Sequence, residues 1–212
     1  MKQFLFLMVC SLVVTGPTFS YAAKGNAGKG KQYYASCQTC HGEHGQGNKE
    51  ANAPRLAGQR HWYLARQLQN FENGIRGTHE NDTLGQQMRS MALMLLVDAQ
   101  ALKDVVAYIA TLEAEAPART EQTGVPDKGK IIFASCQSCH GESGQGNETL
   151  GGPRLAGQHD WYLMRQLQNF RAGIRGAHEK DTYGQTMASM AHALLPNEQA
   201  IKDVVAYIKT LQ

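Results

Sequence analysis

The sequence predicts an all-α protein that consists of two small domains in tandem. Residues 37–112 align without a gap with residues 136–211 when the chain is shifted by 99 positions, and 52 of these 76 pairs are identical. A repeat of this length is a small domain written twice. Apolar residues recur at helical spacing in each copy, and the alternation typical of strands is absent.

Three helices with long glycine-rich loops are expected in each copy. The first helix ends at a pair of cysteines, the second carries spaced aromatic and leucine residues, and the third has one apolar face behind a residue suited to cap a helix. Each copy has too few apolar residues to fill a large core, so a further group is expected between the helices. The predicted helices cover about 28–40, 62–71 and 102–112, then 128–139, 161–170 and 201–211, with caps at Asp98 and Asn197.

The N-terminus has the pattern of a secretory signal peptide. Lys2 precedes an apolar stretch that is too short to span a bilayer comfortably, and small residues follow at Ser20 and Ala22. We expect cleavage after Ala22 or Ala23, which removes Cys10 and exports the rest. The predicted organisation is a signal peptide at 1–22, a first domain at 23–112, a linker rich in Pro, Ala, Glu and Thr at 113–126, and a second domain at 127–212.

Composition and charge exclude several classes of partner. The formal net charge of +3 is too small to indicate nucleic-acid binding. Beyond the signal peptide the longest apolar run, at 91–97, is too short to cross a membrane. The mature chain is therefore not expected to be an integral membrane protein.

Two C-x-x-C-H motifs identify the missing group. In Cys37-Gln-Thr-Cys40-His41 and Cys136-Gln-Ser-Cys139-His140, two thiols can add to the vinyl groups of a haem while the adjacent histidine reaches the iron. The motifs use all four cysteines that remain after export. A covalently bound haem c in each domain is the predicted cofactor.

Other uses of these cysteines fit less well. A structural zinc site needs four ligands that are usually close in sequence, and here the pairs are 99 residues apart. A thioredoxin-like pair expects a strand followed by a helix, which this sequence lacks. A disulfide across a two-residue gap would be strained, although export permits disulfides.

The chain resembles the class I c-type cytochromes, and most closely their two-domain dihaem members of the c-four type. The resemblance rests on the haem motifs, on Pro-Arg-Leu-Ala-Gly-Gln at 54–59 and 153–158, and on Met-x-x-Met before the last helix. It implies two class I domains in the bacterial periplasm, with peripheral membrane association allowed. It also implies a quinol-oxidising complex as electron donor and a terminal oxidase or reductase as acceptor.

The opposite face of each iron needs a second ligand. Met88 and Met91 recur as Met187 and Met190, and a thioether ligand raises the reduction potential. The family pattern favours the first of each pair, Met88 and Met187, with Met91 and Met190 as the fallback. His79 and His178 also recur and would lower the potential if they were ligands, but we interpret them as loop side chains that bind their neighbours. The other histidines, His44, His61, His159 and His192, do not recur and are interpreted as surface residues.

The resemblance also assigns supporting roles. The carbonyl groups of Pro54 and Pro153 are expected to accept the free N–H of the proximal imidazoles. Arginines from the repeated positions are candidates to pair with haem propionates, and the repeated Trp–Tyr pairs are candidates to lie near a haem edge. These candidates are Arg55 and Arg154, Arg66 and Arg165, and Trp62, Tyr63, Trp161 and Tyr162.

Electron transfer is the function that this site chemistry favours. Ligands on both faces of an iron leave no position for a substrate, and no nucleophile–base pair recurs beside the motifs. Two alternatives stay open at this point, a dihaem peroxidase and a haem subunit of a periplasmic dehydrogenase complex. A peroxidase requires two unlike haem sites, whereas these copies are alike.

Overall fold

Two copies of a four-helix domain make up the described chain. A computed structural model describes residues 25–120 and 124–211; the predicted signal peptide and its cleavage site lie outside them. Eight helices occur in this part of the chain. They are α1 Ala27–His41, α2 His61–Glu72, α3 Thr83–Leu95 and α4 Ala99–Ile109, followed by α5 Pro126–His140, α6 Asp160–Arg171, α7 Thr182–Leu194 and α8 Glu198–Ile208.

The predicted count of three helices per domain is wrong, because α3 and α7 were not foreseen. These helices carry the Met-x-x-Met segments, and each begins at an aspartate whose side chain accepts a backbone N–H one turn later, from Gly85 or Gly184. Only a glycine and an alanine are buried on each of them. Their apolar side chains recur at helical spacing, but many of them line a cavity, and the sequence analysis considered the methionines only as iron ligands.

The crossing of the first and last helices holds each domain together. Asp104 of α4 is buried and accepts the N–H of Asn26 at 2.7 Å, and Asp203 of α8 accepts that of Val125 at 2.8 Å. Tyr34 packs on Tyr108 with ring centroids 5.3 Å apart, and Phe133 packs on Tyr207 at the same distance. The caps at Asp98 and Asn197 confirm the sequence predictions.

Gly30 allows α1 and α4 to cross at this distance. A Cβ atom at Gly30 would lie 1.9 Å from the Asp104 carbonyl oxygen and 2.8 Å from the Tyr108 Cβ. We expect Gly30→Ala to force the helices apart and lower the free energy of unfolding by about 3 kcal/mol, measured by denaturant titration. Gly28→Ala, at an exposed position one half-turn away, is the control and should change it by less than about 0.5 kcal/mol. Equal effects of the two changes would contradict the close helix crossing.

The linker is tied to both domains by hydrogen bonds. Thr120 donates its backbone N–H and its hydroxyl to the Asp160 carboxylate, and Lys209 Nζ donates to the Pro117 carbonyl at 2.9 Å. Arg55 of the first domain donates to the Ala114 carbonyl. The helix α5 begins at Pro126, two residues before the predicted start, because proline suits the first turn of a helix.

Candidate haem site

A single cavity of about 520 Å³ runs through both domains. It is lined by the ends of α1 and α5, by one face of α2, α3, α6 and α7, and by the loops that contain Pro54 and Pro153. The cysteines Cys37, Cys40, Cys136 and Cys139, the histidines His41 and His140, and all four repeated methionines line it. The two motifs therefore open into one shared space.

The cysteines of each motif lie in the last two turns of α1 and α5. A three-residue spacing on a helix places both thiols of a motif on the same side. Burial, with the neighbouring Cys40 thiol, raises the pKa of Cys37 to about 11, and the same causes raise that of Cys136 to about 11. Among the described residues no group of three or more His, Cys, Asp and Glu side chains is placed to hold a metal ion.

The two motif histidines are buried and have a fixed tautomer. His41 Nδ1 lies 2.8 Å from the Pro54 carbonyl oxygen, and His140 Nδ1 lies 2.9 Å from that of Pro153. A carbonyl only accepts, so Nδ1 carries the proton and Nε2 keeps a free lone pair. Burial lowers the pKa of both histidines, which keeps them neutral. A neutral imidazole with a free Nε2 is the form that binds iron.

The methionines of each pair differ in packing. Met88 packs against the buried core of the first domain, and Met187 packs against that of the second. Met190 is 38% exposed, and neither Met91 nor Met190 is part of those core contacts. Met88 and Met187 therefore lie closer to the core than their partners, and which methionine of each pair binds iron stays a prediction.

His79 and His178 lie in a different place from the methionines. They line a crevice of about 30 Å³ between the domains, and neither belongs to the lining of the large cavity. Their Nδ1 atoms accept the backbone N–H groups of Asn81 and Lys180, both at 3.1 Å. This arrangement supports their interpretation as loop side chains.

Two arginines that the sequence analysis does not single out, Arg76 and Arg175, lie between the domains. Arg175 is buried and donates to the Tyr63 hydroxyl at 2.9 Å and to the amide oxygens of Gln67 and Gln166. Arg76 donates to the same two amides. The signal for both arginines was present, because Gly-Ile-Arg-Gly recurs at the repeat spacing.

These guanidinium groups fit a haem that has carboxylate substituents. Their hydrogen-bond partners are neutral oxygens, although a buried cation such as Arg175 is stabilised best by an anion. The Nε atoms of Arg76 and of the cavity-lining Arg66 are buried without a partner among the described residues. A buried N–H without an acceptor costs about 1–3 kcal/mol. Haem propionates would supply the acceptors and the negative charge.

The other residues predicted to support the haems have mixed surroundings. Arg55 and Arg154 line the cavity, but the Arg55 guanidinium also donates to the carbonyls of Ala57 and Gly157 and to those of the linker. Their pairing with propionates stays a prediction. Tyr63 and Tyr162 line the cavity, whereas Trp62 and Trp161 lie outside its lining and stack with Arg66 and Arg165, each at 5.1 Å.

His159 is not a simple surface residue, contrary to the prediction. It is half-buried, and its Nε2 lies 2.8 Å from the Gln46 carbonyl oxygen of the other domain. Gln46 recurs as Gln145, but His159 aligns with Arg60, whose Nε donates to the Gln145 carbonyl at 2.7 Å. Unlike residues therefore make equivalent contacts, which a search for repeated histidines does not detect.

The helical domain occurs twice, and both C-x-x-C-H motifs open into one apolar cavity. These features define a tandem c-type haem protein. The chain belongs to the cytochrome c family, whose model, described as "Cytochrome c", matches residues 27–113 and again residues 126–212. The protein therefore carries two covalently bound haem c groups, attached at the two motifs, and is a dihaem electron carrier.

Individual relatives agree with this assignment. Cytochrome c4 of Stutzerimonas stutzeri is 33% identical over the whole of both chains. The crystal structure of reduced recombinant cytochrome c4 from Pseudomonas stutzeri superposes with a TM-score of 0.71 at 28% identity, covering 89% of this chain and 100% of that one. A thiosulfate dehydrogenase electron acceptor of Stutzerimonas stutzeri strain A1501 is 31% identical over 82% of this chain and 79% of its own. The predicted class of two-domain dihaem cytochrome is confirmed.

Proposed function

We propose that this protein is a periplasmic carrier that takes single electrons from a quinol-oxidising complex and delivers them towards a terminal oxidase. The observation that carries the proposal is the cavity shared by both motifs, because it brings two redox centres together inside one protein. Similarity to carriers of the cytochrome c4 type supports the same role. None of the helices in the described ranges 25–120 and 124–211 is long and apolar enough to cross a membrane.

The side chains have distinct tasks in this proposal. His41 and His140 would hold the irons through Nε2 together with Met88 and Met187, and the four cysteines would hold the porphyrins. When bound, each haem supplies an iron that changes its oxidation state by one electron. These residues would leave no iron position free for a substrate, the apolar lining of the cavity would surround the rings, and Arg66, Arg76 and Arg175 would bind the propionates. Rigid ligation of this kind favours electron exchange over substrate binding.

An optical redox titration of the mature holoprotein tests the carrier function. We expect two closely spaced high-potential steps, because both irons have the same His–Met ligands in similar surroundings. The ferric protein should also bind cyanide slowly, since each axial position is already filled. One high and one low step with rapid cyanide binding at one haem would contradict the carrier proposal and favour a peroxidase.

A second candidate is a haem subunit that serves a periplasmic dehydrogenase. Its support is the similarity to the thiosulfate dehydrogenase electron acceptor and to the structure titled thiosulfate dehydrogenase (TsdBA) from Marichromatium purpuratum, at a TM-score of 0.69 and 25% identity. This chain covers 40% of that structure's chain. Purification from the native host distinguishes the two candidates, because a stable subunit co-purifies with its enzyme at fixed stoichiometry and a free carrier does not.

A further inference from the structure

Gln158 of the second domain binds the peptide group that supports the proximal histidine of the first domain. Its Oε1 accepts the Arg55 N–H at 3.1 Å, and its Nε2 donates to the Arg55 carbonyl at 2.9 Å. The Arg55 N–H belongs to the same peptide unit as the Pro54 carbonyl, which accepts the His41 Nδ1–H at 2.8 Å. A glutamine from one domain is thus joined to the imidazole of the other through one amide group.

The same arrangement occurs in the opposite direction. Gln59 of the first domain accepts the Arg154 N–H at 3.1 Å and donates to the Arg154 carbonyl at 3.0 Å. The adjoining Pro153 carbonyl accepts from His140 Nδ1 at 2.9 Å. Each domain therefore supplies a glutamine amide to the other domain. That amide binds the backbone of the arginine next to the proline whose carbonyl accepts from the proximal histidine. Gln158 is 8% exposed, so this contact is largely removed from water.

We propose that Gln59 and Gln158 are positioning residues that tune the reduction potential of the haem in the opposite domain. The proposal rests on His41 and His140 being the proximal ligands. Hydrogen bonds in a chain polarise one another, by about 10–30% per bond. When Gln158 accepts the Arg55 N–H, the peptide becomes more polar and the Pro54 carbonyl becomes a stronger acceptor for His41.

The sign of the effect follows from the chemistry of the ligand. A stronger acceptor at Nδ1 makes the imidazole more basic and more negative, which stabilises ferric iron and lowers the potential. Removing Gln158 should therefore raise the potential of the first haem, and removing Gln59 should raise that of the second. The effect crosses the domain boundary, whereas the cysteines, histidine and methionine of each haem come from its own domain.

Gln158→Met tests the crossed effect because methionine has a similar size and no amide. In the holoprotein we expect the equilibrium constant for reduction of the first haem to rise roughly threefold, or about 30 mV at 59 mV per tenfold change. In ¹⁵N-histidine spectra of the ferrous protein, the His41 Nδ1–H resonance should move towards a weaker hydrogen bond, and that of His140 should stay in place. Gln158→Asn, which keeps the amide but is too short to reach Arg55, should act in the same direction.

Gln59→Met is the reciprocal variant, and it should move the His140 resonance and the second potential. Arg60→Met is the control, because it removes an interdomain hydrogen bond to the Gln145 carbonyl without touching either Pro–Arg peptide. It should leave both Nδ1–H resonances in place. A change at the haem of the glutamine's own domain, an equal change at both haems, or no change would overturn the proposal. Failure of the assumed ligation would appear separately, as a missing haem ring-current shift at His41 or His140 in the unmodified protein.

Discussion

Replacing Cys136 and Cys139 together by alanine is expected to remove one haem and unfold the second domain. The helices of each domain surround the cavity instead of filling it, so a domain without haem keeps a large apolar void. Half of the 520 Å³ cavity is about 260 Å³. At ~24 cal/mol per Å³ this void costs roughly 6 kcal/mol, which is comparable to the whole stability of a small domain.

Haem content and circular dichroism measure this outcome. The variant should contain one haem per chain and lose close to half of its helical signal at a temperature where the unmodified protein is folded. Ser138→Thr is the matched control, because it gives the second motif the Cys-Gln-Thr-Cys sequence of the first. It should keep two haems and full helicity. A one-haem variant with unchanged helicity and unfolding temperature would show that haem is not the core of the domain.

Met88→His is expected to lower the reduction potential of the first haem. The equilibrium constant for reduction of that haem should fall by far more than tenfold. A thioether favours ferrous iron, whereas a second imidazole favours ferric iron. Met88 is the methionine of its pair that packs against the core. A tenfold change corresponds to about 59 mV for one electron, so potentiometry resolves the effect easily.

Met91→Leu distinguishes between the two methionines of the pair. Leucine keeps the apolar volume and removes the sulfur, so an unchanged potential and an unchanged sulfur-to-iron charge-transfer band are expected. If Met91→Leu removes the first haem's share of that band, close to half of it, while Met88→His leaves the band at full intensity, Met91 is the ligand and Met88 is not. The same comparison between Met187 and Met190 applies to the second domain.

The sequence determined the features that depend on short spacing and on repetition. A three-residue gap between two cysteines followed by a histidine defines a haem attachment motif wherever it occurs in the chain. The 99-residue offset defined two equivalent domains, and the apolar residues every three to four positions in α4 and α8 predicted those helices with their caps. The carbonyl partners of His41 and His140 were also correct, because the family motif fixes the proline that follows each loop.

The features that were missed involve surfaces that face no protein core. The helix α3 has apolar residues at helical spacing, but several of them line a cofactor cavity, and the sequence analysis considered its methionines as iron ligands and not as part of a helix. Arg76 and Arg175 resemble ordinary surface cations in the sequence. Their recurrence marks them as a repeated feature, but they become candidates for propionate partners only because folding brings both beside the shared cavity.

Repetition identified the two domains but could not show how they face each other. Contacts between Gln158 and Arg55 span 103 positions in the chain, and those between Gln59 and Arg154 span 95. No local pattern specifies pairs this far apart, because such contacts depend on how two independently folded surfaces meet. The sequence by itself determined the cofactor, its attachment and the duplicated helical fold. Only the tertiary structure decided that the two haem sites share one cavity and that each proximal histidine is supported from the opposite domain.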